Sequence, residues 1–431
     1  MRSALALAVA LGALLAALRP ALADPRPDLV LIVIDTLRRD RLPFYGHAKD
    51  TAPFLTRLAR ESVVFENALT TAPWTAPATA SLMTSRYPFQ HGVVSGRLAV
   101  KRLREAGAPV RLNRIPRGAE TIAEAMQRAG YATWAVTQNA NITRELGFDQ
   151  GFDHFLSKSP RREADPITDS LLELRPRLRG GRPDFVYLHY MDVHAPNAGR
   201  APWFDAALSG DARELSAYDS ELRYLDSHLE RTFRALGWER SAIAIVTADH
   251  GEEFRDHGGW GHARTLFAEV LNVPLLVYAP GRFAAARATE RVSLVDILPT
   301  LRALAGLPPS PHDSGLSLLP LLRGALRLPP RALFADLWHA TLTERKRFLS
   351  ATVEGEWKLI DGAPAGPMLF HLERDPLDLR NRLESYPHVA ARLRARFAEG
   401  EARLPRLEAE FEEAMQDAAM NEDLRALGYV D

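Results

Sequence analysis

Short, uniformly apolar segments alternate with amphipathic helical segments along this 431-residue chain, and this pattern restricts the folds it can adopt. Residues 29–34 read Leu-Val-Leu-Ile-Val-Ile, and further short apolar runs cover residues 131–136, 185–190, 242–246 and 275–279. Such runs are typical of strands that are buried on both faces of a sheet. Helical patterns lie between them at residues 53–62, 119–129 and 215–236. We therefore predict an α/β fold in which helices sandwich a mostly parallel central sheet.

The first 23 residues have the pattern of a secretory signal peptide. Arg2 precedes an apolar run at residues 4–18, and Ala21-Leu22-Ala23 is typical of a cleavage site. The run is shorter than the ~20 residues that span a bilayer, although an uncleaved anchor is the alternative. We predict cleavage after Ala23, export to the periplasm or extracellular space, and no stable membrane insertion afterwards.

The remaining chain divides near Pro329-Pro330, where the alternating pattern ends. Residues 24–328 form the predicted main domain. Residues 329–431 contain short apolar segments at 358–360 and 368–372, followed by a helical pattern from about residue 388. We predict a small C-terminal α+β subdomain with antiparallel strands and a helical tail.

Charge and cysteine content exclude several classes of function. The formal net charge is zero, with 54 basic and 54 acidic residues, so the composition favours neither nucleic acid nor an anionic membrane. The chain has no cysteine, which excludes disulfides, Cys-ligated zinc and a thiol nucleophile. We therefore predict no nucleic-acid partner.

Acidic residues follow three of the predicted strands. Asp35 ends the first strand, Asp192 follows residues 185–190 with His194 close behind, and Asp249-His250 follows residues 242–246. An acidic residue at a single strand end can cap a helix instead. Because the carboxyl ends of parallel strands meet at one edge of a sheet, three such ends favour a shared divalent cation site. The mixed oxygen and nitrogen ligands suit zinc or manganese better than calcium, and magnesium remains open.

Thr75 lies where a loop at residues 73–74 enters a predicted helix. Backbone N–H groups and the helix dipole favour an anion at such a helix start, although the hydroxyl of a threonine there can simply be an N-cap. A nearby cation would lower the pKa of this hydroxyl and make it a better nucleophile. His262 belongs to a glycine-rich loop at residues 256–262, where an imidazole can approach a small anion. His257 in the same loop fits a solvated surface residue.

These segments together resemble the sulfatase family of the alkaline-phosphatase-like superfamily. The resemblance rests on ordered motifs along nearly all of the chain after residue 23: residues 31–40, 71–88, 147–153, 247–252, 293–301 and 357–376. It implies that Asp35, Thr75, Asp249 and His250 bind the metal. It also implies that Thr75 is the nucleophile and that His194 and His262 assist catalysis.

The nucleophile segment departs from that of formylglycine-dependent sulfatases. These enzymes have Cys or Ser, then Pro two residues later and Arg two further, whereas this chain has Thr75, Pro77 and Thr79. Oxidation of threonine would give a ketone because its β-carbon already carries a methyl group. We therefore expect no formylglycine. Relatives with an unmodified threonine include phosphodiesterases and phosphoethanolamine transferases, which form a phospho-threonine.

The resulting prediction is a metal-dependent hydrolase of sulfuric or phosphoric esters that forms a covalent intermediate on Thr75. A phosphoester or phosphodiester of a small molecule, glycan or lipid-derived compound is preferred as the substrate. One metal, which could be zinc, manganese, magnesium or calcium, is favoured over two. Asp192, His194 and His262 could bind a second metal or the substrate. Two alternatives remain: a sulfuric ester hydrolase that uses unmodified Thr75, and an inactive anion- or glycan-binding protein.

Overall fold

The computed structural model describes residues 26–96, 111–158, 163–178, 180–340, 345–362, 366–408 and 410–413. The predicted signal peptide at residues 1–23 lies outside these ranges. Within them, no helix combines the length and apolar character that a membrane crossing requires.

The strands follow in chain order. They are β1 (Leu29–Ile34), β2 (Ser62–Leu69), β3 (Arg111–Arg114), β4 (Ala132–Thr137), β5 (His154–Ser157), β6 (Asp184–Tyr190), β7 (Ile243–Thr247), β8 (Glu253–Phe254), β9 (Trp260–Gly261), β10 (Asn272–Tyr278), β11 (Ala286–Ser293), β12 (Leu333–Ala340), β13 (Arg345–Glu354), β14 (Trp357–Gly362), β15 (Met368–His371) and β16 (Glu410–Glu413).

The helices of the described ranges are named in the same way. They are α1 (Pro53–Ala59), α2 (Thr75–Thr84), α3 (Pro88–His91), α4 (Ile122–Arg128), α5 (Asp165–Leu174), α6 (Gly210–Leu236), α7 (Trp238–Ser241), α8 (Ala268–Leu271), α9 (Ile297–Leu304), α10 (Leu319–Leu322) and α11 (Pro387–Arg403). Short 3-10 helices occur at Arg39–Arg41, Pro43–Tyr45 and Leu294–Asp296.

The central sheet has eight strands in the order β11-β2-β10-β7-β1-β6-β4-β5. β10 runs antiparallel to both of its neighbours, and every other pair in this sheet is parallel. β1 lies in the middle between β6 and β7, and all six of its residues are buried. The predicted mostly parallel α/β sheet is therefore confirmed. Burial on both faces explains why β1 has no polar residue in alternation.

Two groups of helices pack on this sheet. Helices α1 and α5 both pack against α6, while α2, α4 and α9 form a second group. The start of α4 shows why helix boundaries are hard to predict from apolar periodicity. Thr121 accepts a hydrogen bond from the Glu124 backbone N–H, and the Glu124 carboxylate accepts one from the Thr121 backbone N–H. This capping box begins the helix at Ile122, three residues later than the apolar pattern indicates.

The C-terminal strands form a second, antiparallel sheet in the order β12-β13-β14-β15, with α11 packed on β13 and β14. The β8–β9 hairpin, which lies between β7 and β10 in the chain, contacts the segment after β15 through His257. The His257 ring stacks on Phe267 and lies 2.9 Å from the Glu269 carboxylate and 3.0 Å from the Asp378 carbonyl. His257 thus anchors the hairpin, in contrast to the solvated role expected from the sequence.

Candidate active site

Three adjacent strands bring acidic and imidazole side chains to one edge of the central sheet. Asp35 follows β1, His189 lies one residue before the end of β6, and Asp249 follows β7. Each offers a ligand atom, and these three atoms all lie within 4.8 Å of one another. All three side chains are fully buried. The predicted convergence of Asp35 and Asp249 therefore occurs, and His189 joins them from the strand between β1 and β4.

His250 completes the same cluster. Its Nδ1 lies 2.8 Å from the Gly251 carbonyl, which can only accept, so the ring proton is on Nδ1 and the lone pair is on Nε2. Nε2 lies 3.6 Å from Asp35 Oδ1 and 3.7 Å from Asp249 Oδ2. Burial and the charge of His262 lower the pKa of His250 to about 4, which favours the neutral ring. A neutral imidazole with a free Nε2 is a suitable metal ligand.

The backbone around His250 is fixed by a close approach. A Cβ added at Gly251 would lie 2.0 Å from the Glu269 carbonyl oxygen, so no larger residue fits. The Gly251 N–H donates to the Val270 carbonyl at 2.8 Å. On the opposite side, Thr36 adopts a left-handed conformation with a φ of 55°, and its backbone N–H donates to Asp249. Strained backbone of this kind is common at functional sites.

Unpaired buried atoms show that the cluster fits a divalent cation. Asp35 Oδ1, Asp249 Oδ2 and His250 Nε2 are all buried without a hydrogen-bond partner among the described residues. Leaving carboxylate oxygens unpaired in the interior costs several kcal/mol, roughly, unless a positive charge compensates them. Two carboxylates and two imidazoles form the donor set expected of zinc or manganese. Asp35, His189, Asp249 and His250 would hold the cation.

The charges of the cluster are strongly coupled. Burial and the negative charge of Asp35 raise the pKa of Asp249 well above its ordinary value. Burial also acts to raise the pKa of Asp35, but the hydrogen bond from His189 and the charges of His194 and His250 hold this pKa below its usual range. The two carboxylates therefore repel each other when both are ionised, and a bound cation would relieve this repulsion.

Thr75 is the first residue of α2, and its hydroxyl points into this cluster. The N-cap residue is Trp74, with no side-chain capping hydrogen bond, so the N-cap alternative for Thr75 is wrong. The Thr75 hydroxyl instead donates to Asp35 Oδ2 at 3.3 Å. The side chain is only 2% exposed. The start of a ten-residue helix supplies free backbone N–H groups and positive dipole beside the hydroxyl.

Asn139 is a second hydrogen-bonding residue at the nucleophile. Its Oδ1 accepts the Asn141 backbone N–H at 2.7 Å, which fixes the amide orientation and makes Nδ2 the donor. Nδ2 lies 2.6 Å from Asp35 Oδ2 and 3.5 Å from the Thr75 hydroxyl. The amide therefore positions the carboxylate relative to the hydroxyl.

We expect Asn139→Ala to lower kcat/KM by roughly 10- to 100-fold, because residues that orient metal ligands typically contribute that much. Steady-state kinetics with the best ester substrate measures this. Asn381→Ala is the matched control, because Asn381 also accepts a backbone hydrogen bond, from Leu369, but lies in the C-terminal sheet region. Equal kinetics of the Asn139 variant and the wild type would show that Asn139 has no role in positioning.

His194 and His262 lie together at the side of the cluster. Their ring centroids are 5.2 Å apart, and the His262 ring is 4.6 Å from that of His250. His262 Nδ1 donates to Glu252 at 3.0 Å, and although burial opposes it, the charge of Glu252 raises the pKa of His262. Burial instead lowers the pKa of His194. The pair thus combines a ring that favours its cationic form with a ring that favours its neutral form.

Asp192 lies apart from the group formed by Asp35, His189 and Asp249. Its carboxylate is buried, and the backbone N–H of Ala164 acts to lower its pKa. Burial and the charge of Glu221 raise the pKa of Asp192 to about 8, while Arg200 acts in the opposite direction. Asp192 is therefore influenced by the charges of Glu221 and Arg200, and a second metal at Asp192, His194 and His262 stays a prediction.

Three residues of the site were missed by sequence reasoning. His189 interrupts the apolar run at residues 185–190, and a single imidazole within a buried strand was an available signal. Asn139 follows the end of β4, so the strand-end rule used for Asp35 also applied to it. Glu252 follows the predicted ligand His250 by two residues, but only the fold shows its contact with His262.

A model of the family described as Sulfatase matches residues 27–307, which is more than half of the chain. The chain belongs to the sulfatase family. Arylsulfatase A from Bos taurus is 26% identical to it over 473 residues, covering 89% of this chain and 87% of the bovine protein. The resemblance drawn from the sequence motifs is therefore confirmed.

Solved structures share the fold of this sulfatase-family protein. The phosphonate monoester hydrolase from Silicibacter pomeroyi matches with a TM-score of 0.71 and 18% identity, covering 91% of this chain and 100% of that one. A structure in complex with its substrate D-glucosamine-2-N,6-O-disulfate matches with a TM-score of 0.71 and 16% identity, covering 88% and 98%. Membership of the family makes this chain a hydrolase acting on sulfate or phosphate esters.

Proposed function

We propose that this protein hydrolyses phosphoric esters, or the chemically related sulfuric esters, by direct attack of the unmodified Thr75 hydroxyl. The observation that carries the proposal is the position of that hydroxyl. It lies 3.3 Å from Asp35 Oδ2, beside a cluster of unpaired buried metal ligands and at the start of α2. A threonine with a purely structural role would more often bond to its own helix, as Thr84 does through the Ala80 carbonyl.

The nucleophile needs help to lose its proton. A divalent cation held by Asp35, His189, Asp249 and His250 would lower the pKa of the hydroxyl and offset negative charge on the ester. Asn139 and Asp35 hold the hydroxyl in place through the contacts described above. The free N–H groups at the start of α2 favour an anionic group next to Thr75.

Two imidazoles have opposite tasks in the proposed reaction. His262, whose cationic form is favoured by Glu252, donates a hydrogen bond or a proton from Nε2 to an oxygen of the ester. His194 Nδ1 lies 2.6 Å from the Ala195 carbonyl, so Nδ1 carries the proton and Nε2 of the neutral ring can accept one. The site thus contains one proton donor and one proton acceptor.

The reaction has two steps. In the first, the Thr75 hydroxyl passes its proton to Asp35, its oxygen forms a bond to phosphorus, the bond to the ester oxygen breaks, and the alcohol leaves with a proton from His262. In the second, a water oxygen attacks phosphorus, its proton passes to His194, the bond to the Thr75 oxygen breaks, and Asp35 returns the proton to Thr75. His194 then passes its proton to His262 through solvent, which restores both rings. A monoester gives inorganic phosphate, and a diester gives a phosphate monoester. The same bond changes at sulfur would release sulfate.

Threonine at position 75 favours the phosphoric ester. Its β-carbon bears a methyl group, so it cannot become the aldehyde on which formylglycine chemistry depends. Thr79 occupies the position of the usual arginine, and its hydroxyl is buried without a partner in the described part of the chain. Relatives of the same fold include both a phosphonate monoester hydrolase and a sulfated-sugar enzyme, so the fold does not choose between the two esters. If residues 1–23 act as the predicted signal peptide, export would place this activity outside the cytoplasm.

A substrate panel tests the proposal. We expect metal-loaded protein to turn over an aryl phosphate diester or monoester with a higher kcat/KM than the matched aryl sulfate, with aryl phosphonate between them. All four compounds carry the same aryl leaving group, so differences in kcat/KM reflect the transferred group alone. Faster turnover of the aryl sulfate would favour the sulfuric ester alternative. No turnover of any compound by protein that binds metal would favour the inactive binding protein.

A further inference from the structure

A large cavity lies away from the candidate active site, where the edge of the central sheet meets the C-terminal subdomain. Its volume is about 880 Å³, which falls within the range of small-molecule sites. Edge strand β11, its neighbour β2, the linker before β12, the β13–β14 turn and helix α11 all contribute to its walls. None of the metal-cluster residues or Thr75 lines it.

Positive charge exceeds negative charge on these walls. The basic side chains are Arg291, Arg327, Arg331, Arg392 and Arg396. The acidic side chains are Glu290, Glu354 and Glu373. Arg392 and Arg396 both pair with Glu354, at 3.4 and 2.9 Å, and Arg396 also pairs with Glu399 at 3.0 Å. Arg331 pairs with the buried Asp296, so Arg291 and Arg327 are the cavity arginines without an ion pair among the described residues.

Arg291 is placed in the cavity by a β-bulge. Ala288 pairs with Phe65 and Arg291 with Asn67, so β11 has one extra residue over this stretch. Asn67 Nδ2 donates to the Thr289 carbonyl at 2.8 Å and holds the bulge. Bulges at sheet edges re-aim side chains and often occur at functional sites.

The charge of Arg291 is poorly compensated. Its Nε donates to the neutral carbonyl of Gly355 at 2.7 Å, and among the described residues it forms no ion pair. The side chain is half-buried, and burial lowers its pKa even though Glu373 and Glu290 act to raise it. Arg327 likewise forms no ion pair within the described ranges. Guanidinium groups with free N–H donors form bidentate hydrogen bonds to tetrahedral oxyanions.

Apolar residues complete the cavity beside these arginines. Leu328 and Leu333 are buried in its wall, and Leu326 is 87% exposed at its edge. Cationic donors next to an apolar surface suit a ligand with a charged group and a ring, such as a sugar that carries a sulfate or phosphate.

We propose that this cavity is a second, non-catalytic binding site for a sulfated or phosphorylated sugar, whose anionic group binds Arg291 and Arg327. The site would hold part of a polyanionic ligand at a distance from Thr75. This inference does not depend on the proposed hydrolysis, since it concerns residues outside the active site.

Calorimetry on the metal-loaded, full-length Thr75→Ala protein tests the inference without interference from turnover. The probes are glucose 6-sulfate and glucose 6-phosphate, with glucose as the neutral comparison and inorganic sulfate and phosphate as the anions alone. We expect both sugar anions to bind, and an R291Q/R327Q double variant to bind at this site roughly 10- to 100-fold more weakly. Tighter binding of one of the two sugars would show whether the site takes a sulfate or a phosphate group.

Two further variants make the result decisive. Arg282→Gln, at an exposed arginine outside the cavity, should leave binding unchanged. Glu373→Gln removes a cavity carboxylate that acts on Arg291, so it should tighten binding. Binding that is the same in the double variant and in the Thr75→Ala parent would overturn the inference, as would weaker binding after Glu373→Gln.

Discussion

Thr75→Ala should reduce kcat for the best ester substrate by about three orders of magnitude or more, because it removes the protein atom proposed to bond to phosphorus. The cluster of Asp35, His189, Asp249 and His250 remains intact, so the variant should still bind one metal ion. Steady-state kinetics and metal analysis of the same preparation measure the two effects together.

Thr84→Ala is the matched control for this variant. Thr84 lies in the same helix and is equally buried, but its hydroxyl donates to the Ala80 carbonyl within the helix. The control should keep near-wild-type kcat and lose only a little stability. Thr75→Ser should keep part of the activity, because serine retains the hydroxyl. Substantial activity in the alanine variant would show that another group is the nucleophile.

Asp35→Asn should abolish both metal binding and activity, since Asp35 contacts the ligand His189 and the Thr75 hydroxyl and is central to the cluster. Addition of zinc or manganese should raise the melting temperature of the wild-type protein. At a free metal concentration about 100 times Kd, the gain in unfolding free energy is roughly 2.7 kcal/mol. Without the carboxylate, the variant should show no such rise.

Asp226→Asn separates loss of metal from loss of a buried carboxylate. Asp226 is as buried as Asp35, but it accepts the backbone N–H groups of Phe54 and Leu55 at the start of α1, at 2.8 and 2.9 Å. This variant should be less stable yet still show the metal-dependent rise in melting temperature. A metal-dependent rise in Asp35→Asn equal to that of the wild type would contradict the assigned site.

The central sheet could be predicted because strands that are buried on both faces consist largely of apolar residues. β1 has six consecutive apolar residues, and a strand of this kind is stable only between two covered faces. The order and direction of the strands, in contrast, do not follow from their apolar composition. β10 runs antiparallel between β2 and β7, and no apolar pattern reveals the direction of a strand. The pairing of β3 with β16 joins segments almost 300 residues apart and could not be predicted either.

The site was predictable where a residue follows a strand closely. Asp35 directly follows β1, Asp249 and His250 lie two and three residues after β7, and the structure brings them together. Asp192 occupies the same kind of position, yet it is not part of the group formed by Asp35, His189 and Asp249, and the charge of Glu221 acts on it. His189 is the opposite case, since its side chain reaches the cluster from within β6.

The hydrogen bonds around Thr75 could be identified only from the three-dimensional structure. The sequence places a threonine at a helix start, where capping its own helix was the alternative to catalysis. The distances to Asp35 and Asn139 show instead that the hydroxyl points toward the metal ligands. This orientation depends on residues 40 and 64 positions away along the chain, so only the folded structure could reveal it.

Mass analysis of protein quenched during turnover of a slow aryl phosphate diester or sulfate tests the covalent attack by Thr75 most directly. We expect a fraction of the chain to gain the mass of one transferred phosphoryl or sulfuryl group, and peptide mapping to locate it on Thr75. High-resolution mass would also distinguish phosphorus from sulfur. Multiple turnovers with rapid quenching and no adduct on Thr75, or an adduct on a different residue, would contradict direct attack by Thr75.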